Sequence, residues 1–214
     1  IVNQGIVFAF EPQNILFQNL CANISINSRT NCFCSQTALS EKKNEDLYYP
    51  NYDFNAEQNF GAMSFLRNRK KSSYTSKANV DTLDNRFPDL QKLKLIKADA
   101  EGMEINIIKG GIDLINRTKP FLYLENESYF QKSKELIELL WSLGYRLFWH
   151  IMPYYPENNF FRVSSGFVVG FFLFVIVIQE LIYGIKFLNQ DLNVSVTREK
   201  SIFDKSKFMF TPCP

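Results

Sequence analysis

Three carboxylates follow one apolar segment closely in the sequence. Residues 95–98 are Leu-Ile-Lys-Ala, and Asp99, Glu101 and Glu104 come next, with Gly102 between the two glutamates. Acids at the carboxyl end of a buried strand point into the crevice where open α/β sheets bind ligands. They can accept a proton, bind a cation or hold hydroxyl groups. This pattern predicts a site near Asp99; the alternative is a turn followed by a helix whose first turn carries Glu104 beside the positive end of its dipole.

A further acid, Glu11, ends a second apolar segment at residues 5–10. Pro12 fixes the backbone where the next helix is predicted to begin, a position at which its missing N–H costs nothing. The apolar residues that follow at helical spacing are Leu16, Leu20 and Ile24. An acid that ends a strand in a nucleotide-binding unit accepts hydrogen bonds from ribose hydroxyls. Glu11 is therefore predicted to bind a nucleoside.

Two more polar residues end later apolar segments. Glu125 ends residues 120–125, and we expect it on the same side of the sheet as Asp99 if the two strands are parallel. His150 ends residues 145–150, and a histidine can accept a proton near neutral pH. The alternatives are a turn acid for Glu125 and a structural histidine among aromatic side chains for His150.

The elements that would position these residues alternate between strand and helix. We predict strands near 5–10, 31–34, 92–98, 120–125 and 145–150, and helices near 13–25, 104–116 and 129–143. Ser128 and Gln131 form a capping box before the last helix, and Gly144 ends it. Such alternation predicts an α/β fold with a mainly parallel sheet. Residues 40–80 are polar with little periodicity, and we expect a long loop or a substrate lid there.

Several ordered motifs together resemble the FkbM-type methyltransferases. They are Val7-Phe-Ala-Phe-Glu-Pro-Gln13, Leu20-Cys-Ala-Asn23, Asn59-Phe-Gly-Ala62, Ile96-Lys-Ala-Asp-Ala-Glu-Gly-Met-Glu104, Lys109-Gly110, Pro120-Phe-Leu-Tyr-Leu-Glu-Asn126 and Gly144-Tyr-Arg-Leu-Phe-Trp-His150. The resemblance covers roughly residues 5–161, and the order and spacing of the motifs make it specific. It implies a Rossmann-like class I methyltransferase sheet, S-adenosylmethionine as cofactor, and O-methylation of a hydroxyl on a small molecule, sugar or lipid.

The resemblance also implies roles for individual residues. The residues expected to contact the cofactor are Glu11, Pro12, Ala38 and Asp99, and the candidate catalytic residues are Asp99, Glu101, Glu104, Glu125 and His150. A general base, a cation ligand and a group that holds substrate hydroxyls all remain open for Glu101 and Glu104. We predict no metal ligands.

One motif of that family is missing from the sequence. Its members open with a strand and a glycine-rich Asp-x-Gly-Ala-Asn turn that holds the methionine part of the cofactor, and that strand would lie between the strands at 5–10 and 92–98. Because the first residue is Ile1, we expect a partial methyltransferase domain at residues 1–161 of a longer enzyme. The alternative is a non-catalytic remnant that acts as an interaction or membrane-attached module.

The apolar segment at residues 162–188 leaves three interpretations open. Residues 166–178 carry no charge but are fewer than the roughly 20 that a membrane-spanning helix needs. Extending the segment to 188 includes Gln179 and Glu180. The segment is therefore a membrane anchor, a core strand plus a helix, or the product of mistranslation or missing splicing. Residues 189–214 are predicted to be a polar tail.

Composition argues against several classes of protein. The chain has 214 residues, 46% of them hydrophobic and 21% charged, as in a globular domain. Its net charge is only +2, and the basic run at residues 67–71 is more typical of a solvated loop than of a nucleic-acid site. The four cysteines, Cys21, Cys32, Cys34 and Cys213, lack the spacing of zinc ligands. We predict reduced, mostly buried thiols in a cytoplasmic protein, with membrane attachment through 166–188 as the alternative.

Overall fold

The computed structural model describes residues 5–51, 64–65, 75–126, 132–151 and 173–179, and of 149–151 and 173–179 only the backbone. The elements in these ranges are β1 (Val7–Phe10), α1 (Asn14–Ile26), β2 (Cys32–Ser35), β3 (Ala38–Leu39), β4 (Tyr48–Pro50), β5 (Thr75–Lys77), β6 (Val80–Asp81), α2 (Leu83–Arg86), β7 (Leu95–Ala98), α3 (Glu104–Lys109), α4 (Ile112–Thr118), β8 (Phe121–Glu125), α5 (Lys132–Ser142), β9 (Tyr145–Ile151) and β10 (Leu173–Gln179). All belong to a compact unit, Ile1–Glu180; a second unit, Leu181–Pro214, lies outside the described residues.

Parallel strand pairs joined by helices carry the α/β character of the fold. β1 pairs with β2 across α1, and β7 pairs with β8 across α3 and α4. A parallel neighbour requires a crossover connection, which a helix usually supplies. The predicted α/β fold is confirmed at this level, although the sheets are small. The largest has four strands in the order β7-β8-β10-β9, and only β10 runs against its neighbours.

The two strands expected to flank the missing strand each have one edge without a partner in the described part of the chain. There β1 pairs only with β2, and β7 pairs only with β8. The strand expected between them stays a prediction.

The apolar segment at residues 162–188 contains one described element, β10. It lies between β8 and β9 and pairs with both. Residues 173–179 are therefore a strand; the rest of the segment, residues 162–172 and 180–188, lies outside the described residues, and the interpretation of the whole segment stays open. Among the helices that the structure describes, none is long and apolar enough to cross a membrane.

The single helix predicted at residues 104–116 is wrong, because Gly110 and Gly111 divide it into α3 and α4. The spacing of the isoleucines continues across the break, so periodicity alone does not reveal it. A Cβ atom on Gly110 would lie 2.0 Å from the Ser40 carbonyl oxygen. The helix is therefore interrupted where Gly110 passes close to the backbone of Ser40, the residue that follows β3.

The main core lies between the four-stranded sheet and α3, α4 and α5. Its fully buried side chains include Ile108, Leu114, Leu122, Leu124 and Leu140. The predicted last helix is confirmed as α5, and Gly144 follows it with a φ of 82°. The capping box at residues 128–131 lies outside the described residues, as does the basic run at 67–71.

The prediction of a long loop over residues 40–80 is wrong for its described parts. β4 and β5 pair antiparallel, and β6 pairs in parallel with β3, which precedes the region. Side chains of the region form a second, smaller core with Ala38 and Met103: Leu47, Tyr49, Phe65, Ala78 and Val80. Strands of two or three residues are too short to show periodicity in a sequence. The role of a substrate lid stays a prediction.

The fold brings three thiols together on one side of β2. Cys21 of α1 adjoins Cys32 and Cys34, and burial together with these neighbours raises the pKa of the Cys34 thiol. All three are reduced and partly buried, so the prediction that they are mostly buried is too strong. Cys213 lies outside the described residues.

We expect Asp84→Ala to lower the free energy of unfolding by about 1 to 2 kcal/mol, as the loss of a helix cap does. The Asp84 carboxylate accepts hydrogen bonds from the backbone N–H groups of Asp113 (3.2 Å) and Leu114 (2.8 Å), at the start of α4. Urea denaturation measures the effect. The exposed Asp89→Ala is the matched control, and an equal loss in both variants would contradict the capping role.

Candidate functional site

The register of β7 and β8 brings two acids to the same edge of the sheet. Ala98 pairs with Leu124 in this parallel pair. Asp99 and Glu125, the next residues on each strand, are therefore neighbours at the carboxyl end. The expectation that they share one side of the sheet is confirmed. We call these two residues the carboxyl pair.

Glu125 is the buried member of the carboxyl pair. Its side chain is 1% exposed, and no hydrogen-bond donor among the described residues reaches either carboxylate oxygen. Burial, the neighbouring Asp99, and then Glu101 and Glu104, raise the pKa of the Glu125 carboxyl to about 8. Near neutral pH it therefore retains a proton, which it can donate to Asp99 in a hydrogen bond.

Asp99 is the exposed member of the carboxyl pair. Its side chain is 39% exposed, and its Oδ2 accepts a hydrogen bond from Lys97 Nζ at 3.0 Å. Lys97 precedes it by two residues on β7, so both side chains leave the same face of the sheet. Because the two carboxyls are neighbours, the Asp99 carboxylate is one of the charges that raise the pKa of Glu125.

The tight turn after β7 positions the other two acids. Glu101 and Gly102 have φ values of 52° and 93°, and Gly102 adopts the positive value without the strain that a side chain adds. Glu101 accepts a hydrogen bond on its backbone oxygen from Ser64 Oγ at 2.7 Å. Glu104 is 5% exposed, and its Oε1 accepts from the backbone N–H of Ala100 at 2.6 Å. Glu104 therefore fastens the turn to α3, and the catalytic roles of both glutamates stay predictions.

Glu11 lies at the carboxyl end of β1, as predicted. Its Oε1 accepts a hydrogen bond from the backbone N–H of Gln13 at 2.7 Å, and its own N–H donates to the Ser35 oxygen at 3.2 Å. Burial raises the pKa of the Glu11 carboxyl, and the hydrogen bond from Gln13 opposes that rise. Pro12 is partly buried just before α1. One carboxylate oxygen is thus held by the backbone.

The structure joins only some of the predicted site residues. Asp99, Glu101, Glu104 and Glu125 form one cluster. Ala38 lies in β3 and is 5% exposed within the smaller core, so its side chain offers little surface to a cofactor. His150 lies in β9, where Phe174 of β10 pairs with both His150 and Glu125. The backbones of these two residues are thus two strands apart, roughly 10 Å. The proposed roles of Ala38 and His150 stay predictions.

Sequence reasoning missed a polar cluster beside Glu11. The Arg86 guanidinium donates to the Ser35 hydroxyl and, at 3.5 Å, to Thr37 Oγ1; it lies 3.7 Å from an Asp81 carboxylate oxygen. It also lies over the Phe10 ring, 5.7 Å from the centroid. These residues come from β1, β2, β6, α2 and the loop after β2, so no local spacing in the sequence could have revealed the cluster.

Asn126 is a second residue that sequence reasoning did not assign to the site. It follows β8 directly, is 3% exposed, and its Nδ2 has no hydrogen-bond partner among the described residues. A buried, unpartnered donor has no sequence signature, because its isolation depends on distant packing. Within the described ranges, no group of three or more His, Cys, Asp or Glu residues is arranged to hold a metal ion.

Comparison with known proteins gives one family and one solved structure. Residues 2–147 match the family model described as the methyltransferase FkbM domain. No curated protein matches the chain. A crystal structure of methyltransferase FkbM from Methylobacillus flagellatus KT is similar over 80% of this chain, with 16% sequence identity and a TM-score of 0.49. The match covers 36% of that longer protein.

Proposed function

Because the chain belongs to the methyltransferase FkbM domain family, whose model matches more than half of it, we propose that it methylates a hydroxyl oxygen using S-adenosylmethionine. The carboxyl pair, Asp99 and Glu125, is the observation that carries the proposal. It lies at the carboxyl edge of parallel strands, where α/β sheets bind ligands. A hydroxyl must lose its proton to be methylated, and the carboxyl pair can accept one.

The residues around Glu11 fit a cofactor with ribose hydroxyls. The backbone N–H of Gln13 donates a hydrogen bond to one carboxylate oxygen of Glu11 and so fixes the orientation of the carboxylate. The other oxygen can accept a hydrogen bond from a hydroxyl. Pro12 and Ala38 are proposed to complete the contact, together with Asp99. Bound S-adenosylmethionine would supply a methyl group activated on a positively charged sulfur.

The carboxyl pair is proposed to act as the proton acceptor. Asp99 is exposed and can contact a substrate hydroxyl, whereas Glu125 lies behind it and is buried. With both carboxyls ionised, the two adjacent negative charges make proton uptake favourable up to a pH of about 8, the pKa of Glu125. A base with a pKa near the working pH is the most effective general base. Lys97 holds Asp99 in place.

We expect Glu11→Gln to weaken S-adenosylmethionine binding about tenfold, because a hydrogen bond to a charged group contributes roughly 1.5 to 3 kcal/mol. Titration calorimetry with the full chain measures the dissociation constant. Glu138→Gln, an exposed glutamate of α5, is the matched control. Unchanged affinity in Glu11→Gln would contradict the role of Glu11. Failure of the wild-type protein to bind the cofactor would contradict the proposed function and favour a non-catalytic module.

A further inference from the structure

A small cleft of mixed polar and apolar lining lies between the turn that precedes α3, the end of β8 and the first turn of α5. About 250 Å³ of empty space lies along it, part of which is open solvent. Its polar side chains are those of Glu104, Asn126, Lys132 and Ser133, and its apolar ones are those of Ile105 and Leu136. None of these residues has a part in the function proposed above.

The amide of Asn126 is the group in this cleft that requires an explanation. It is 3% exposed, and none of the described residues accepts a hydrogen bond from its Nδ2. Burying a hydrogen-bond donor without a partner lowers the free energy of unfolding by about 1 to 3 kcal/mol. Because Asn126 lines the cleft, a bound oxygen atom there would supply the missing acceptor.

The surrounding charges indicate what kind of oxygen the cleft can accept. Glu104 lines the same cleft and is 5% exposed, and the carboxyls of Asp99 and Glu101 lie close to it at the end of the sheet. Lys132 is the cation of the lining, and its Nζ donates to Asn106 Oδ1 at 3.2 Å. Counted with Lys97, which pairs with Asp99, three carboxylates face two ammonium groups, and in a partly desolvated site like charges repel strongly. A carboxylate or phosphate is disfavoured, whereas an uncharged oxygen is not.

We propose that Asn126 Nδ2 donates a hydrogen bond to an uncharged oxygen of the methyl acceptor. The acceptor would then carry a second neutral oxygen, in a hydroxyl, ether or carbonyl group, besides the hydroxyl that is methylated. Asn126 follows Glu125 directly, and Glu104, whose charge acts on Glu125, lines the same cleft, so the cleft adjoins the carboxyl pair. This inference rests on the proposed function, since it assigns the cleft to the methyl acceptor.

Side-chain amide signals of the full-length protein labelled with ¹⁵N-asparagine test the proposal without requiring turnover. The probes are glycerol, which offers uncharged hydroxyls, and acetate at matched ionic strength. We expect a saturable shift of the Asn126 NH₂ signal with glycerol and none with acetate. The Asn85 amide is the internal control, because its Nδ2 already donates to Asp81 Oδ1 at 2.9 Å.

Two variants identify the signal and sharpen the test. Asn126→Leu and Asn126→Asp each remove the NH₂ group, and loss of the resonance in either one assigns it. Titration calorimetry measures glycerol binding in Asn126→Leu, which has no NH₂ signal of its own, and we expect it to be weakened about tenfold. A saturable shift with acetate alone would overturn the neutral-oxygen assignment, and no saturable shift with either probe would overturn the site. Glycerol binding in a protein that does not bind S-adenosylmethionine would contradict only the proposed function and the assignment to a methyl acceptor.

Discussion

Glu125→Gln is expected to remove most of the pH dependence of stability between about pH 5 and pH 8. In the unfolded chain Glu125 titrates near 4.5, whereas in the folded protein its pKa is about 8. Between these values the folded protein binds more protons than the unfolded chain, so the free energy of unfolding falls as the pH rises. The stabilisation that comes from proton binding by Glu125 is fully present below pH 4.5 and is lost as the pH rises through about 8. Its size is on the order of 5 kcal/mol, because a tenfold change in proton affinity corresponds to about 1.4 kcal/mol.

The glutamine variant should behave like the protonated wild type at every pH. Its amide can donate to Asp99, as the protonated carboxyl does, and carries no charge to bury. Urea denaturation at about pH 5 and about pH 8.5 is the measurement, with the exposed Glu135→Gln as matched control. We expect equal stability at the lower pH and a more stable variant at the higher one. Parallel pH profiles for wild type and Glu125→Gln would contradict the raised pKa.

The same variant should be severely impaired in methyl transfer. Loss of a general base typically lowers the rate about 10² to 10⁴-fold, and we expect kcat to fall within that range. The KM for S-adenosylmethionine should change little, because Glu125 is assigned to the proton and not to the cofactor. Wild-type activity should rise as the pH passes through about 8, because Glu125 loses its proton there and the carboxyl pair can then accept one. Full activity in Glu125→Gln would remove the pair from the mechanism.

Gly110→Ala is expected to destabilise the protein by about 3 kcal/mol or more, at or beyond the upper end of overpacking costs. The added Cβ would lie 2.0 Å from the Ser40 carbonyl oxygen and 3.0 Å from its carbonyl carbon. These are backbone atoms, so no side-chain rotation relieves the clash. The segment after β3 or the junction between α3 and α4 must move. Urea or thermal denaturation measures the loss.

Gly111→Ala is the matched control for Gly110→Ala, because it adds the same methyl group one residue later. Its Cβ would meet Leu83 side-chain atoms at 2.8 Å and 3.0 Å. A side chain can rotate or shift, so we expect a loss of about 1 kcal/mol. Equal losses in the two variants would show that the approach to the Ser40 backbone does not set the break between the helices.

The sequence predicts those residues of the site that lie at the ends of strands. Asp99 and Glu125 each follow an apolar segment, and two parallel strands bring such residues together without further information. The burial of Glu125 was not predictable, because it depends on packing between elements distant in sequence. The unpartnered amide of Asn126 is hidden for the same reason. Local patterns thus reveal which acids are candidates, and tertiary packing decides which one is desolvated.

The errors in the predicted fold have similar causes. Residues 104–116 keep isoleucines at helical spacing across Gly110, so only the approach of the Ser40 backbone reveals the break. β10 lies within the apolar segment for which the sequence left open a membrane anchor, a core strand plus a helix, and a mistranslated or unspliced tail. That residues 173–179 form a strand depends on their pairing with β8 and β9, and pairing is a long-range property.

The carboxyl pair is tested most directly by titrating Glu125 itself. Carbon-13 NMR of the side-chain carboxyl carbons in ¹³C-glutamate-labelled protein follows each glutamate through its ionisation, and Glu125→Gln identifies the signal by its loss. A midpoint near pH 8, with the Asp99→Asn variant shifting it downward, is the expected result. A midpoint near the ordinary glutamate value of 4.5 would contradict the shared proton and the proton acceptor built on it.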